Sequence, residues 1–218
     1  MRFVDLMDNS TLITKAMKSS YFALLSFLFL FVSLGYSQTV RENDNRYAKY
    51  NNNDFKGAIV EYNKAIKIDI NNEEAYLLRA TAKSGINDHI GAIVDYNRFI
   101  EINPNYAEGY VGRGIVKNQL QDFRGAIIDC TKAIKIDPKC KTSYRLRGLS
   151  KSSLNDGKGA IIDFTFAIEI DPKYAEVYCL RGLCKIFLNQ KDSGCVDLSK
   201  AGELGHSKAY DAIKRFCQ

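Results

Sequence analysis

Cysteine has the widest range of possible chemistry in this sequence, and the chain contains six. A thiol can form a disulfide, bind a metal or act as a nucleophile, depending on its neighbours. The six are Cys130, Cys140, Cys179, Cys184, Cys195 and Cys217. The chain has only two histidines, and no close cysteine pair has zinc-ligand spacing. The sequence therefore predicts no metal site and no cofactor.

The sequence also lacks recognisable catalytic motifs. No glycine-rich phosphate loop follows a strand pattern, and neither His89 nor His206 belongs to a nucleophile motif with serine or cysteine. His89 takes the position that Phe55 and Phe123 fill in other parts of the chain, so packing explains it. We expect a protein that is not an enzyme.

Charged side chains with a fixed spacing are the second set of candidates. Arginine recurs every 34 residues, at Arg79, Arg113, Arg147 and Arg181. Carboxylates recur with the same period, at Glu61, Asp95, Asp129, Asp163 and Asp197. Each arginine could pair with an aspartate of its own or the neighbouring repeat, which would form a structural charge ladder. Alternatively, the arginines form a basic stripe that binds an acidic ligand. The shared period favours the ladder.

The period of 34 residues organises most of the chain. The segment GAIVEYNKAIKID begins at Gly57, and similar segments begin at Gly91, Gly125 and Gly159. A fixed period of this length is the sequence sign of a solenoid. Each period contains two stretches with helical spacing of apolar residues. An aspartate that could cap the second helix precedes it, and three periods have a proline after it. Small residues recur in both helices and predict their close approach.

These features resemble the tetratricopeptide repeat, whose motif combines aromatic residues, small residues in both helices and a final proline. The third copy carries the motif at Tyr110, Gly114, Ala126, Ala133 and Pro138. Arginine and lysine (Lys83, Lys117, Lys151 and Lys185) replace the usual leucine and tyrosine. The resemblance implies an all-α solenoid of about five helix-turn-helix repeats: 39–72, 73–106, 107–140, 141–174 and 175–208. A capping helix over 209–218 would follow.

The resemblance also implies a concave groove, lined by the first helix of each repeat. Its expected residues are Leu77, Thr81, Val111, Ile115, Arg145, Leu149, Cys179 and Leu183. Such a groove suits an extended peptide or a partner helix. Cys130 takes an aromatic core position and is expected to be an inert thiol. Cys195 and Cys217 either form a disulfide that holds the C-terminal helix or remain separate thiols.

The N-terminal residues read as an export signal. Residues 21–34 form the apolar stretch YFALLSFLFLFVSL, which follows Lys18 and precedes a small-residue exit at Ser37. The stretch is short for a transmembrane helix. We expect residues 1–37 to be a signal peptide, with Met17 as the true start and cleavage after Ser37. An uncleaved signal anchor is the alternative.

The predicted function follows from the solenoid and the export signal. The formal net charge of +6 is mild and no long run of like charges occurs, so a nucleic-acid partner is not expected. We expect a non-catalytic scaffold of the periplasm, cell envelope or exterior that binds a protein or peptide. We expect no small-molecule substrate, and membrane contact only through a retained signal peptide. The alternative is a structural surface component that contacts cell-wall polymer or an anionic membrane.

Overall fold

A computed structural model of the chain describes residues 54–217, which form a stack of ten α-helices. No β-strand occurs among these residues. The predicted signal peptide and the first helix of the first predicted repeat lie outside the described residues. The helices are α1 (Phe55–Ile68), α2 (Glu73–Gly85), α3 (His89–Ile102), α4 (Ala107–Gln119), α5 (Phe123–Ile136), α6 (Lys141–Ser153), α7 (Gly157–Ile170), α8 (Ala175–Phe187), α9 (Lys191–Glu203) and α10 (Lys208–Phe216).

The helices pack as consecutive hairpins. The first helices of the repeats are α2, α4, α6 and α8, and each packs most closely against the second helix that follows it. Successive first helices also contact one another, whereas no comparable contact joins successive second helices among residues 54–217. The first helices therefore form the inner face of the stack, and α1, α3, α5, α7 and α9 form its outer face.

An aspartate cap starts three of the second helices. The side chains of Asp88, Asp122 and Asp156 accept hydrogen bonds from the backbone N–H three residues later, at 3.0, 2.9 and 2.8 Å. That N–H belongs to a glycine each time, as in Gly159 of α7. A Cβ atom on this glycine would collide with the carboxylate of Asp156. The recurring Asp-x-x-Gly pattern is therefore one structural unit, in which glycine leaves room for the cap.

Small residues allow the two helices of a hairpin to approach closely. A Cβ atom at Gly148 would lie 2.6 Å from the ring of Phe164, and one at Gly182 would lie 2.8 Å from the carbonyl oxygen of Gly194. Alanines at the facing positions of the second helices, such as Ala126, are fully buried. This packing excludes water between the helices and stabilises each hairpin.

Residues with positive φ end the first helices. Asn87, Asn155 and Asn189 have φ of 62°, 63° and 62°, and Gln121 has φ of 63° at the same position of its repeat. Asparagine tolerates this left-handed conformation better than most side chains. It reverses the chain within a short turn, so the second helix can pack back on the first.

The C-terminal helix α10 closes the stack by packing on α9 and α8. It starts at Lys208, one residue before the predicted boundary, and its Ala209 is completely buried. Cys195 of α9 and Cys217, directly after α10, are joined by a disulfide. None of the helices formed by residues 54–217 has the length and apolar character needed to cross a bilayer.

Candidate protein-interaction surface

The charge ladder is formed by one buried aspartate in each of four hairpins. In the hairpin of α4 and α5, Arg113 Nε donates to Asp129 Oδ2 at 2.9 Å and Arg113 Nη2 donates to Asp129 Oδ1 at 2.6 Å. The same two-pronged pairing joins Arg79 to Asp95, Arg147 to Asp163 and Arg181 to Asp197. Each arginine thus pairs with the aspartate of its own repeat. Such geometry gives short, strong hydrogen bonds.

A lysine completes each of these sites. Lys117 Nζ lies 2.8 Å from Asp129 Oδ2, and Lys83, Lys151 and Lys185 make the equivalent ion pairs with their aspartates. Each aspartate therefore receives two cations, whereas the sequence analysis assigned a pairing role to arginine alone. The spacing in the sequence indicates this possibility, because the lysine follows the arginine by four residues and so lies on the same face of the helix.

Each arginine also reaches back to the preceding repeat. Arg113 Nη1 donates to Asn97 Oδ1 of α3 at 2.7 Å, and Arg147 Nη1 donates to Thr131 Oγ1 of α5 at 3.2 Å. Arg79 and Arg181 bond in the same way to Asn63 and Thr165. The arginines therefore link neighbouring repeats as well as the two helices of one hairpin. The sequence pattern did not reveal this bond, because the accepting residue changes from asparagine in the first two repeats to threonine in the next two.

Burial decides between the two interpretations of the charged residues. Asp95, Asp129 and Asp163 are 1% exposed, and the paired arginines retain 14–19% of their side-chain exposure. A buried carboxylate requires nearby charge or hydrogen bonds. The guanidinium groups are engaged by protein atoms on both sides. The geometry is that of a structural ladder, and it leaves little of each arginine for a ligand.

Most of the predicted groove residues lie half-buried on the first helices. Leu77, Val111, Ile115, Leu149 and Leu183 all have intermediate exposure. Thr81 is partly engaged, because its hydroxyl donates to the carbonyl oxygen of Leu77 at 2.9 Å. The inner face therefore offers a row of partly exposed aliphatic side chains.

Two groove residues have other roles in the structure. Cys179 is only 6% exposed because Leu198 of α9 and Ala209 of α10 pack against it, so its assignment to an open groove is wrong. The C-terminal helix α10 therefore covers the part of the predicted groove that contains Cys179. Arg145 Nη1 pairs with Glu176 Oε1 of the next repeat at 3.1 Å, and this pair divides the aliphatic row.

An acidic pocket lies at the N-terminal end of the aliphatic row. It has a volume of about 310 Å³ and shares Leu77 with the predicted groove. Its other lining residues are Glu73, Glu74, Phe99, Asn103, Tyr106 and Glu108. The exposed ring of Tyr106 packs edge-on against Phe99, with centroids 6.0 Å apart. The periodic sequence pattern does not predict this pocket, because its residues come from both helices of one repeat and the start of the next.

The remaining cysteines are buried to different degrees. Burial raises the pKa of the Cys130 thiol to about 12, and it also raises the pKa of Cys179 and of Cys184. The Cys130 thiol is completely buried, which agrees with its expected role as a core residue. Cys140 is the partly exposed free thiol of the four. Residues 54–217 contain no group of three or more potential metal ligands.

Comparison with known proteins agrees with the repeat architecture. The family model of the tetratricopeptide repeat matches residues 107–140, the same span as the third predicted repeat. The solved structure of MamA is 27% identical to this chain, with a TM-score of 0.68, and the match covers 75% of this chain and 95% of that one. No curated protein sequence matches.

Two further structures share the fold at lower identity. MamA from Desulfovibrio magneticus RS-1 is 15% identical, with a TM-score of 0.70 and coverage of 76% of this chain and 94% of that one. YrrB, a TPR protein with an unusual peptide-binding site, is 17% identical, with a TM-score of 0.65 and coverage of 78% and 88%. The stacked hairpins define an α-solenoid. The chain is a tetratricopeptide-repeat protein.

Proposed function

We propose that this protein is a non-catalytic scaffold that binds a protein partner along its inner face. The observation that carries the proposal is the row of Leu77, Val111, Ile115, Leu149 and Leu183, which leaves aliphatic surface available on successive first helices. Half-buried aliphatic side chains on a fixed backbone suit an extended peptide or one side of a partner helix. The fold shared with YrrB supports this reading by analogy.

The acidic pocket adds a preference to this proposal. Glu73, Glu74 and Glu108 line the same pocket as the exposed ring of Tyr106, and Glu73 also accepts a hydrogen bond from Asn103 Nδ2. A lysine or arginine side chain in this pocket would meet carboxylates and an aromatic face. The aliphatic row begins beside the pocket at Leu77. A partner segment that carries a basic residue next to apolar ones fits this arrangement.

We further propose that the protein works outside the cytosol. The predicted signal peptide supports export, and the Cys195–Cys217 disulfide suits an oxidising compartment. Cell fractionation, with sequencing of the mature N-terminus, tests the location. A chain found in the cytosol with residues 17–37 still attached would contradict it.

Affinity capture from the native envelope fraction tests partner binding. The chain from Gln38 onward serves as bait, next to Leu149→Asp in the aliphatic row and Glu108→Lys in the pocket. Both variants should lose the same partner, because Glu108→Lys repels its basic residue and Leu149→Asp places a charge where its apolar side chains bind. Ile70→Asp is the matched control, since Ile70 is 67% exposed and lies in the connection before α2.

The two inner-face variants differ in their risk to the fold. Leu149 packs against the core cluster around Phe164, so its variant needs a thermal melt beside the capture experiment. Glu108 is exposed in the first turn of α4, so its replacement by lysine should lower the melting temperature only slightly, through a less favourable charge at the start of the helix. Retention of every captured partner by the folded Glu108→Lys and Leu149→Asp proteins would reject the inner face as the binding surface.

A further inference from the structure

The outer face carries a row of exposed aliphatic residues that the repeat fold does not require for packing. Val60, Val94, Ile128, Ile162 and Val196 occupy the same position in five successive second helices, and we call them the outer stripe. Their side chains are between 51% and 68% exposed. One exposed aliphatic residue is ordinary, but the same exposure at five equivalent positions places an apolar side chain on each second helix of the outer face.

Cations flank the outer stripe. Lysine or arginine fills seven of the ten positions that lie four residues before or after a stripe residue, and aspartate fills one. The seven are Lys56, Lys64, Arg98, Arg124, Lys132, Lys158 and Lys200. Three of them also pair with a glutamate of the same helix, at 2.9 to 3.2 Å: Lys64 with Glu61, Arg98 with Glu101 and Lys200 with Glu203. Two of the other flanking positions hold exposed apolar residues, Ile90 at 69% and Phe166 at 46%. Residues four apart on a helix share one face, so each second helix presents an aliphatic side chain beside at least one cation.

We propose that the outer stripe and its flanking cations bind the surface of an anionic lipid bilayer. Lysine and arginine can meet lipid phosphates, while the short aliphatic side chains between them enter the boundary between headgroups and acyl chains. This pairing of basic and apolar residues is the pattern of an interfacial helix, repeated here on five helices.

The shape of the outer face favours a bilayer over an acidic protein. Successive second helices do not pack against each other as the first helices do, so the stripe residues stand on separate ridges. A folded protein partner would need five matching pockets at the same spacing. Lipid headgroups can rearrange around each exposed side chain, so a bilayer needs no matching pockets. Binding here would leave the inner face and its acidic pocket open, so the inference is independent of the proposed peptide groove.

Vesicle sedimentation tests this proposal. The chain from Gln38 onward, which keeps all five predicted repeats and lacks the apolar leader, is mixed with vesicles of phosphatidylcholine alone or with phosphatidylglycerol. We expect binding only to the anionic vesicles, with a loss of binding as salt is raised. The first variant combines Arg124→Gln, Lys132→Gln and Lys158→Gln, three exposed flanking cations of α5 and α7. Its partition coefficient should fall about 100-fold, because each cation near an anionic surface contributes about fivefold.

A charge-matched variant provides the control. Lys139→Gln, Lys173→Gln and Lys208→Gln remove the same charge from exposed positions in two interhelical connections and at the start of α10. This protein should bind almost as well as the wild type. Ile128→Ser with Ile162→Ser should lower binding several-fold while leaving the charge unchanged.

Three results would overturn the proposal. The first is no binding of the wild-type chain to anionic vesicles. The second is an equal loss in the two charge-matched variants, which would indicate net charge rather than the outer stripe. The third is binding to soluble polyglutamate, lost in the outer-face variant, with no vesicle binding. That result would assign the stripe to an acidic protein.

Discussion

At the scale of single residues, the buried aspartates stand out because each pairs with two cations. Asp129 lies between Arg113 and Lys117, and it has almost no access to solvent. The two cations keep some exposure and could be solvated in part without it. The aspartate could not be buried without them. The aspartate is therefore the member of the site whose loss leaves the largest uncompensated charge.

Replacement of the two partners should have unequal effects. Asp129→Leu leaves Arg113 and Lys117 without a carboxylate and should lower the free energy of unfolding by about 3–5 kcal/mol. Arg113→Leu should cost less, because Lys117 can still pair with Asp129. Urea unfolding of both variants measures the difference. Equal losses, or a larger loss for Arg113→Leu, would show that the ladder is not the source of stability at this site.

Residue patterns predicted the arginine–aspartate pairing, because both residue types share one period. They did not predict the role of lysine, since a lysine on a helix is usually solvated and its period alone does not distinguish the two cases. Cys179 was placed in the groove by analogy with other repeats. That analogy failed at the last repeat, where α10 packs on Cys179 in place of a further first helix. End effects of this kind are invisible to a periodic argument.

At the scale of helices, the start of α7 shows how one glycine can be essential and its neighbour dispensable. Gly159 lies against the carboxylate of Asp156, which caps the helix, and a Cβ atom there would collide with it. Gly157 is the first residue of the same helix, and a Cβ atom there would make an ordinary contact with Leu188 at 3.4 Å. Helix propensity alone would predict that alanine improves both positions.

We expect only one of the two substitutions to destabilise the protein. Gly159→Ala should displace the Asp156 carboxylate, remove the cap and destabilise the protein by about 1 kcal/mol. Gly157→Ala should be neutral or stabilise by up to about 1 kcal/mol, because alanine loses less conformational entropy than glycine. Thermal melts of the two variants provide the comparison. Stabilisation by Gly159→Ala would mean that the cap contributes little.

The disulfide fixes the helix that closes the stack. Cys195 and Cys217 are separated by 22 positions in the sequence, and the segment between them contains most of α9 and all of α10. A cross-link over this length is expected to contribute about 3 kcal/mol to the stability of the segment. Its loss should allow α10 to detach while the remaining hairpins stay folded, because each repeat contacts only its neighbours.

Thiol alkylation can detect this local opening. In Cys217→Ser, detachment of α10 should expose Cys179, whose thiol α9 and α10 otherwise cover. Alkylation of Cys179, followed by mass spectrometry of peptides, should become several-fold faster than in the wild type. Cys130 is the internal control, because burial within α5 raises its pKa to about 12 and its environment does not involve α10. Equal acceleration at Cys130 would indicate global unfolding instead.

At the scale of the whole molecule, the sequence predicted the architecture better than it predicted the surfaces. The period of 34 residues predicted the helix pairs, the turns and the order of the hairpins, because the residues that make these contacts recur at the same position of each repeat. The acidic pocket and the outer stripe depend on which side chains remain uncovered after stacking. Exposure of this kind follows from packing between repeats, so a single periodic pattern does not reveal it.

The two faces differ in a way that suits a protein joining two unlike surroundings. The inner face combines an aliphatic row with an acidic pocket, whereas the outer stripe is flanked by cations. If both proposals hold, the protein would present a bound peptide on one side while its other side rests on a bilayer. A single change on either face should then affect only one of the two interactions.

Each arginine also donates a hydrogen bond to the preceding repeat. Because this bond is equivalent in every repeat, complete repeats can be removed or added without losing it. Excision of residues 107–140 would bring Arg147 opposite Asn97 of α3, an acceptor equivalent to its present partner, Thr131. We expect this shortened protein to remain helical and to unfold cooperatively by circular dichroism. Excision of residues 107–122 alone should disrupt the fold, because Asp129 would keep neither Arg113 nor Lys117. These hydrogen bonds are thus compatible with growth of the gene by duplication of complete repeats. Each new repeat would meet equivalent donors and acceptors in its neighbours.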